Sequence, residues 1–145
     1  MSYQLRFLIT DPGALDLDAL RDSLRAINRK YRLELEDGAG ELRLGTEVIG
    51  ELRLATPDDE AFEDELAMLE EAASEGTGKG EARVADALAT VNQILAVAVP
   101  GKVHGREALE SLDPLWEFLF SSREGLLQAD NEGYYDEDGL IFEVP

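Results

Sequence analysis

Apolar and polar residues alternate at the start of the chain and then change to a helical period. In residues 3–10 apolar side chains recur at every second position, which predicts a strand with one well-buried face. Leu8 lies on the other face of that strand and indicates partial cover there as well. Residues 17–27 then place apolar side chains on one helical stripe, at Leu17, Leu20, Leu24 and Ile27. This spacing predicts an amphipathic helix.

Three further strands are predicted between residues 31 and 55. The segments 31–36, 41–45 and 51–55 each alternate leucine with charged residues, and the first two flank the turn 37–40. Asp-Gly between alternating runs is a strong hairpin signal. On the outer face, the alternating Glu and Arg residues are expected to pair across strands. The leucines expected to face the core together are Leu42, Leu44, Leu52 and Leu54.

Helical spacing returns in the second half of the chain. It predicts a helix over 58–75 and another over 81–99. The last six residues of the second segment, 94–99, are apolar on all sides and fit either a buried helix end or a central strand; we favour the helix. A further helix begins near Glu107 and restarts or kinks at Asp113-Pro114.

The tail is expected to close the fold. Residues 125–129 and 140–144 read as a terminal hairpin joined by a long acidic turn, 130–139. The whole pattern predicts an α+β fold, an antiparallel sheet packed on one side by helices, in the order β-α-β-β-β-α-α-α-β-β. Residues 1–145 are of a size typical for a single domain.

Charge is the strongest compositional signal. Thirteen basic residues face thirty-two acidic ones, which gives a formal net charge of −19. Residues 1–57 hold eight bases and ten acids, whereas residues 58–145 hold five bases and twenty-two acids. Such a surface repels nucleic acid and anionic lipid and attracts basic proteins. No apolar run is long enough to span a bilayer, and the N-terminus does not read as a signal peptide, so we expect a cytoplasmic protein.

Few residues are suited to catalysis or to binding a metal ion or phosphate. The chain has no cysteine and one histidine, His104, which lies between glycines in a predicted loop over 101–106. The run Gly76–Gly80 does not match the spacing of a phosphate-binding loop, and a helix-to-helix linker explains its glycines. Counting from Asp130 or from Asp136, the acidic turn does not match the ligand spacing of a calcium-binding loop, so only weak cation binding stays open. We therefore expect no catalytic residues, no specific metal site and no cofactor.

The acidic segments are the candidate binding surfaces. Residues 58–75 contain nine acids and no base, and the acidic turn surrounds two adjacent tyrosines. Neighbouring residues of a strand point to opposite faces, so one tyrosine can pack inward while the other is an exposed anchor; burial of both is the alternative. The residues expected to contact a partner are Glu63, Asp64, Glu70, Glu71, Asp130, Glu132, Tyr134, Tyr135, Asp136 and Asp138.

The segment DPLWEFLFSSREGLLQADNEGYYDEDG, residues 113–139, resembles C-terminal segments of small, acidic, uncharacterised bacterial proteins. The resemblance implies a bacterial source and transfers no functional residues. From charge and size we expect a non-enzymatic protein that docks a basic protein partner, for example an immunity-type protein that neutralises a toxin. The alternatives are a secretion-type chaperone, which would be a homodimer, and an enzyme that uses clustered carboxylates, with or without a metal ion.

Overall fold

The computed structural model describes residues 3–101 and 105–144. Its strands are β1 (Tyr3–Ile9), β2 (Tyr31–Glu36), β3 (Ala39–Leu44), β4 (Glu47–Ala55), β5 (Gln93–Val99), β6 (Gly125–Ala129), β7 (Gly133–Asp136) and β8 (Gly139–Glu143). Its helices are α1 (Leu17–Ile27), α2 (Glu60–Ala73), α3 (Glu81–Thr90), α4 (Gly105–Ser111) and α5 (Asp113–Ser122). None of these helices is long and apolar enough to cross a membrane.

All eight strands form one antiparallel sheet in the order β2-β3-β4-β5-β1-β6-β7-β8. The predicted α+β class and antiparallel sheet are confirmed. β1 lies near the middle because it is apolar on both faces: Leu5, Phe7 and Ile9 point to one side and Leu8 to the other, and all four are fully buried. Long-range pairing therefore places the least polar strands where both faces are covered.

Helices cover both faces of the sheet, so the prediction of helices on one side only is wrong. Helices α1, α4 and α5 pack on the face of Phe7, which we call the α5 face. Helices α2 and α3 pack on the face of Leu8, which we call the α2 face. The physical reason is that each face of the central strands carries its own apolar set, and each set needs its own cover.

Residues 93–99 form a strand, which corrects the prediction of one helix over 81–99. The helix ends at Thr90, and β5 then runs between β1 and β4. Gln93 anchors the change of direction: its side-chain oxygen accepts from the N–H of Leu15 at 3.0 Å, and its amide donates to the carbonyl of Gly13 at 2.6 Å. An all-apolar segment suits a strand that is buried on both faces, and local periodicity could not separate the two forms.

The tail contains three strands where two were predicted. β7 lies inside the segment expected to be a long turn, so β6 pairs with β7 and β7 with β8. Asn131 has φ of 62° in the first connection, and Gly133 and Gly139, the first residues of β7 and β8, have φ of 140° and 134°. These left-handed residues allow tight reversals, and the two tyrosines between them favour a strand.

The expected pairing of Glu with Arg across β2, β3 and β4 is also wrong. The register places Arg32 opposite Arg43 and Glu34 opposite Glu41, and Glu41 also faces Glu51. Like charges that face each other directly are mildly destabilising. The four leucines do share the core on the α5 face, as predicted. Strand periodicity determined the faces of these residues, but only the pairing register determined their neighbours.

Candidate functional site

The four predicted contact residues of α2 are exposed, as the helical pattern indicated. Glu63, Asp64, Glu70 and Glu71 all point to solvent. The neighbouring Glu65 does not: it is 9% exposed and points to the sheet. The acidic surface of α2 is therefore a solvated helix face, with one carboxylate turned inward to a structural role.

Glu65 belongs to a buried ion-pair network on the α2 face. It accepts a hydrogen bond from Nε of Arg6, whose side chain is 9% exposed, and lies 3.3 Å from the guanidinium of Arg53. Arg6 also donates to Gln128 at 2.8 Å and to Asp130 at 2.9 Å. This network ties α2 to the sheet, because Glu65 lies on the helix and its partners lie on strands. Removing one partner would leave a buried charge uncompensated.

The acidic residues of 130–138 do not form one patch. Asp130 is paired with Arg6. Glu132 accepts a hydrogen bond from the hydroxyl of Tyr135 at 2.7 Å. Asp136 pairs with Arg83 at 2.7 Å. The turn predicted as one acidic loop is thus divided among separate structural contacts, because β7 runs through its middle.

The two tyrosines point to opposite faces of β7, which is one of the two arrangements that the sequence left open. Tyr134 is 1% exposed in the cluster beneath α2 and α3, and burial raises its pKa to about 12. Tyr135 is partly exposed on the α5 face. Its pKa is also raised to about 12, first by burial and then by its hydrogen bond to Glu132. Tyr135 is therefore the tyrosine that an incoming partner can reach.

Tyr135 lines a groove of about 490 Å³ between the α4–α5 segment and the tail strands. The sheet continues past α5 here, so the α5 face of β7 is left partly uncovered. Leu109, Trp116, Phe120, Leu127 and Tyr135 are the apolar and aromatic lining residues. Trp116 is 4% exposed, and its indole N–H donates to the Leu109 carbonyl at 3.2 Å, so it forms a fixed part of the wall.

The rim of this groove is strongly acidic. Its acidic lining residues are Glu110, Asp113, Glu117, Asp136, Glu137 and Asp138, of which Asp136 is already paired with Arg83, and among the described residues the one basic side chain lining it is Arg106. Burial raises the pKa of Asp113, and the nearby charges of Glu110 and Glu117 raise it further. The charges of Glu110 and Glu117 disfavour the ionised form of Asp113, and a cation placed in the groove would offset this repulsion.

Four of these rim residues were not among the predicted contact residues: Glu110, Asp113, Glu117 and Glu137. Glu110 comes from α4, and Asp113 and Glu117 come from α5. Glu110, Asp113 and Glu117 are spaced by three and four positions, as residues on one face of a continuous helix would be, and that spacing was the available signal. The signal was incomplete, because only the fold brings this face next to Asp136 and Asp138.

The glycine run 76–80 closes the outer edge of the sheet instead of cradling a ligand. The N–H of Thr77 donates to the carbonyl of Glu143 at 2.8 Å, and that of Gly80 donates to Ile141 at 2.9 Å. A Cβ at Gly76 would lie 2.3 Å from the ring of Phe142. The linker between α2 and α3 is as predicted, and its glycines permit close approach to β8.

No group of three or more acidic or histidine side chains within residues 3–101 and 105–144 is arranged to hold a metal ion. His104 lies outside the described residues. No protein-family model matches the chain, and no significant match is found among curated proteins or solved structures. The resemblance of residues 113–139 to acidic bacterial proteins stays a prediction.

Proposed function

We propose that this protein is a non-enzymatic binding protein that docks a basic protein partner in the groove between α5 and β7. The observation that carries the proposal is the combination in one place of an aromatic lining and a rim of five carboxylates besides the paired Asp136. The occupant that fits is a lysine- or arginine-rich segment with one large apolar side chain. That side chain would enter over Tyr135 while its basic neighbours meet the rim.

The physical argument separates the roles of the two parts. Burial of an apolar anchor against aromatic residues supplies affinity. The rim speeds association with a basic partner and repels acidic competitors. Phe120 and Tyr135 are both partly exposed, so their rings can also accept a cation at the groove. A protein that neutralises a basic toxin would be one instance of this function.

A designed peptide tests the proposal. The probe is a twelve-residue peptide of alternating lysine and glycine with one central leucine, and Trp116, the sole tryptophan, serves as the fluorescent reporter. We expect saturable binding that weakens as salt is raised, because exposed ion pairs are screened. The same peptide with alanine in place of leucine should bind more weakly.

Charge reversal then locates the site. Glu110→Lys with Glu117→Lys changes two rim residues, whereas Glu63→Lys with Glu70→Lys makes the same change of total charge on α2. The rim pair should weaken binding by about tenfold or more, equivalent to about 1.4 kcal/mol, and the α2 pair much less. Equal effects of both pairs would mean that only overall charge matters. A larger effect of the α2 pair would move the site to that helix; either result overturns the proposal.

A further inference from the structure

The two outer edges of the sheet differ in whether their backbone is covered. The β8 edge is covered by the glycine run, whose Thr77 exchanges two backbone hydrogen bonds with Glu143, at 2.8 and 2.7 Å. At the other edge, β2 pairs with β3 on one side and with no strand of the described residues on the other. An open edge offers a row of backbone donors and acceptors to a further strand.

The turn between β2 and β3 determines which groups point outward. Asp37 and Gly38 have φ of 53° and 80° and form a two-residue turn that joins Glu36 to Ala39. The residues flanking such a turn bond to each other, so alternate residues of β2 bond to β3. The N–H of Gly45 donates to the carbonyl of Lys30 at 2.9 Å, which agrees with this alternation of bonded and outward-facing residues along β2.

The backbone groups of Tyr31, Leu33 and Leu35 therefore face away from β3. Two of these backbone groups already have partners within the chain. The N–H of Tyr31 donates to the carbonyl of Asn28 at 3.1 Å, and the carbonyl of Leu33 accepts from Nε of Arg21 at 3.1 Å. A carbonyl oxygen has a second lone pair, so that of Leu33 can accept another bond. The outward N–H groups of Leu33 and Leu35 are available to a new strand.

The charged side chains of this edge are mismatched inside the chain. Arg32 faces Arg43, and Glu34 faces Glu41. Among the described residues neither Arg32 nor Glu34 is within ion-pair distance of an opposite charge, although both are exposed. An incoming strand that places the opposite charge beside each would remove this mismatch.

We propose that β2 pairs antiparallel with β2 of a second copy of this chain, about a two-fold axis at Leu33. In that register Leu33 faces Leu33 of the second copy, and Tyr31 faces its Leu35. Arg32 then faces Glu34 of the second copy, and by symmetry Glu34 faces its Arg32. The N–H groups of Leu33 and Leu35 donate to the Leu33 and Tyr31 carbonyls of the second copy, and every outward charge gains an opposite one.

The distribution of charge favours a second copy as the occupant of this edge. Two chains of net charge −19 repel each other, but the acidity is concentrated in residues 58–145. Residues 1–57, which contain β2, carry a net charge of only −2. Within the edge itself Lys30 and Arg32 balance Glu34 and Glu36. This edge is consequently a place where two copies can approach with little repulsion.

Sedimentation equilibrium over about 1 to 500 µM protein, with three variants, tests the pairing. Arg32→Glu and Glu34→Arg each place like charges opposite one another twice in the dimer, and each should weaken dimerisation about tenfold. The double variant exchanges the two charges and should restore the wild-type constant. Glu34→Arg also makes the net charge less negative, so general repulsion predicts the reverse of the expected result.

Glu51→Arg is the matched control, because it makes the same charge change on an exposed residue of β4 within the same face of the sheet. It should not weaken the dimer. Hydrogen exchange gives a second readout: the amides of Leu33 and Leu35 should become more protected as concentration rises. A wild-type chain that stays monomeric throughout, or a double variant that does not recover, overturns the proposal. Dimerisation with unchanged exchange at these amides would place the interface elsewhere and overturn it too.

Discussion

Removing the side chain of Glu65 is expected to destabilise the fold strongly, because the buried charge of Arg6 then loses one of its carboxylate partners. As whole residues, Arg6 and Glu65 are 7% and 9% exposed, and they belong to the buried ion-pair network that joins α2 to the sheet. Breaking a buried ion pair by deleting one partner costs about 3–5 kcal/mol. Arg6 keeps its hydrogen bonds to Gln128 and Asp130, at 2.8 and 2.9 Å. We therefore expect Glu65→Ala to lower the free energy of unfolding by about 3 kcal/mol, the lower end of that range.

Two further variants make this expectation specific. Glu65→Gln keeps the shape and one acceptor but loses the charge, so it should cost less, about 1–2 kcal/mol. Glu63→Ala deletes the same charge from an exposed position of the same helix and should change stability by no more than about 0.5 kcal/mol. The contrast between Glu65 and Glu63 isolates burial from helix propensity and overall charge.

Urea unfolding followed by Trp116 fluorescence measures all three, since that buried side chain becomes exposed on unfolding. The relevant quantity is the difference in the free energy of unfolding between Glu65→Ala and the Glu63→Ala control. The comparison requires that the slope of this free energy against urea concentration is the same in both variants. A difference below about 1 kcal/mol would refute the reasoning, because it would mean that Arg6 is adequately compensated without Glu65.

Two other consequences can be measured with the same material. Gly76→Ala should destabilise by about 1–3 kcal/mol, because its Cβ would lie 2.3 Å from the ring of Phe142, and urea unfolding would contradict this if the midpoint did not fall. Binding of the basic peptide should weaken as pH is lowered from neutral toward the ordinary carboxyl range, since the raised pKa of Asp113 lets that carboxyl take up a proton before ordinary carboxyls do, and a bound cation favours the ionised form. Asp113→Asn should bind more weakly at neutral pH and show a smaller pH dependence; an unchanged pH profile would exclude Asp113 as its source.

Part of the candidate site could be predicted from local sequence. Adjacent residues of a strand point to opposite faces, so the separation of Tyr134 from Tyr135 was one of two arrangements that the sequence offered, and the strand β7 decided between them. The exposure of Glu63 and Glu70 followed from helical period. The remainder of the groove could not be predicted, because α4 and α5 contribute one wall and the segment 135–139 the other. Such a site exists only after distant segments pack together.

The sequence by itself determined most of the local elements, the faces of most strands and the concentration of acid in the second half of the chain, because these depend on residue type and spacing. Tertiary structure decided whether residues 93–99 would be helix or strand, since the all-apolar segment acquires its form from the neighbours β1 and β4. It also decided that like charges such as Arg32 and Arg43 face each other, because pairing register depends on long-range contacts that no local period specifies. The open β2 edge and the acidic groove are both products of that long-range arrangement.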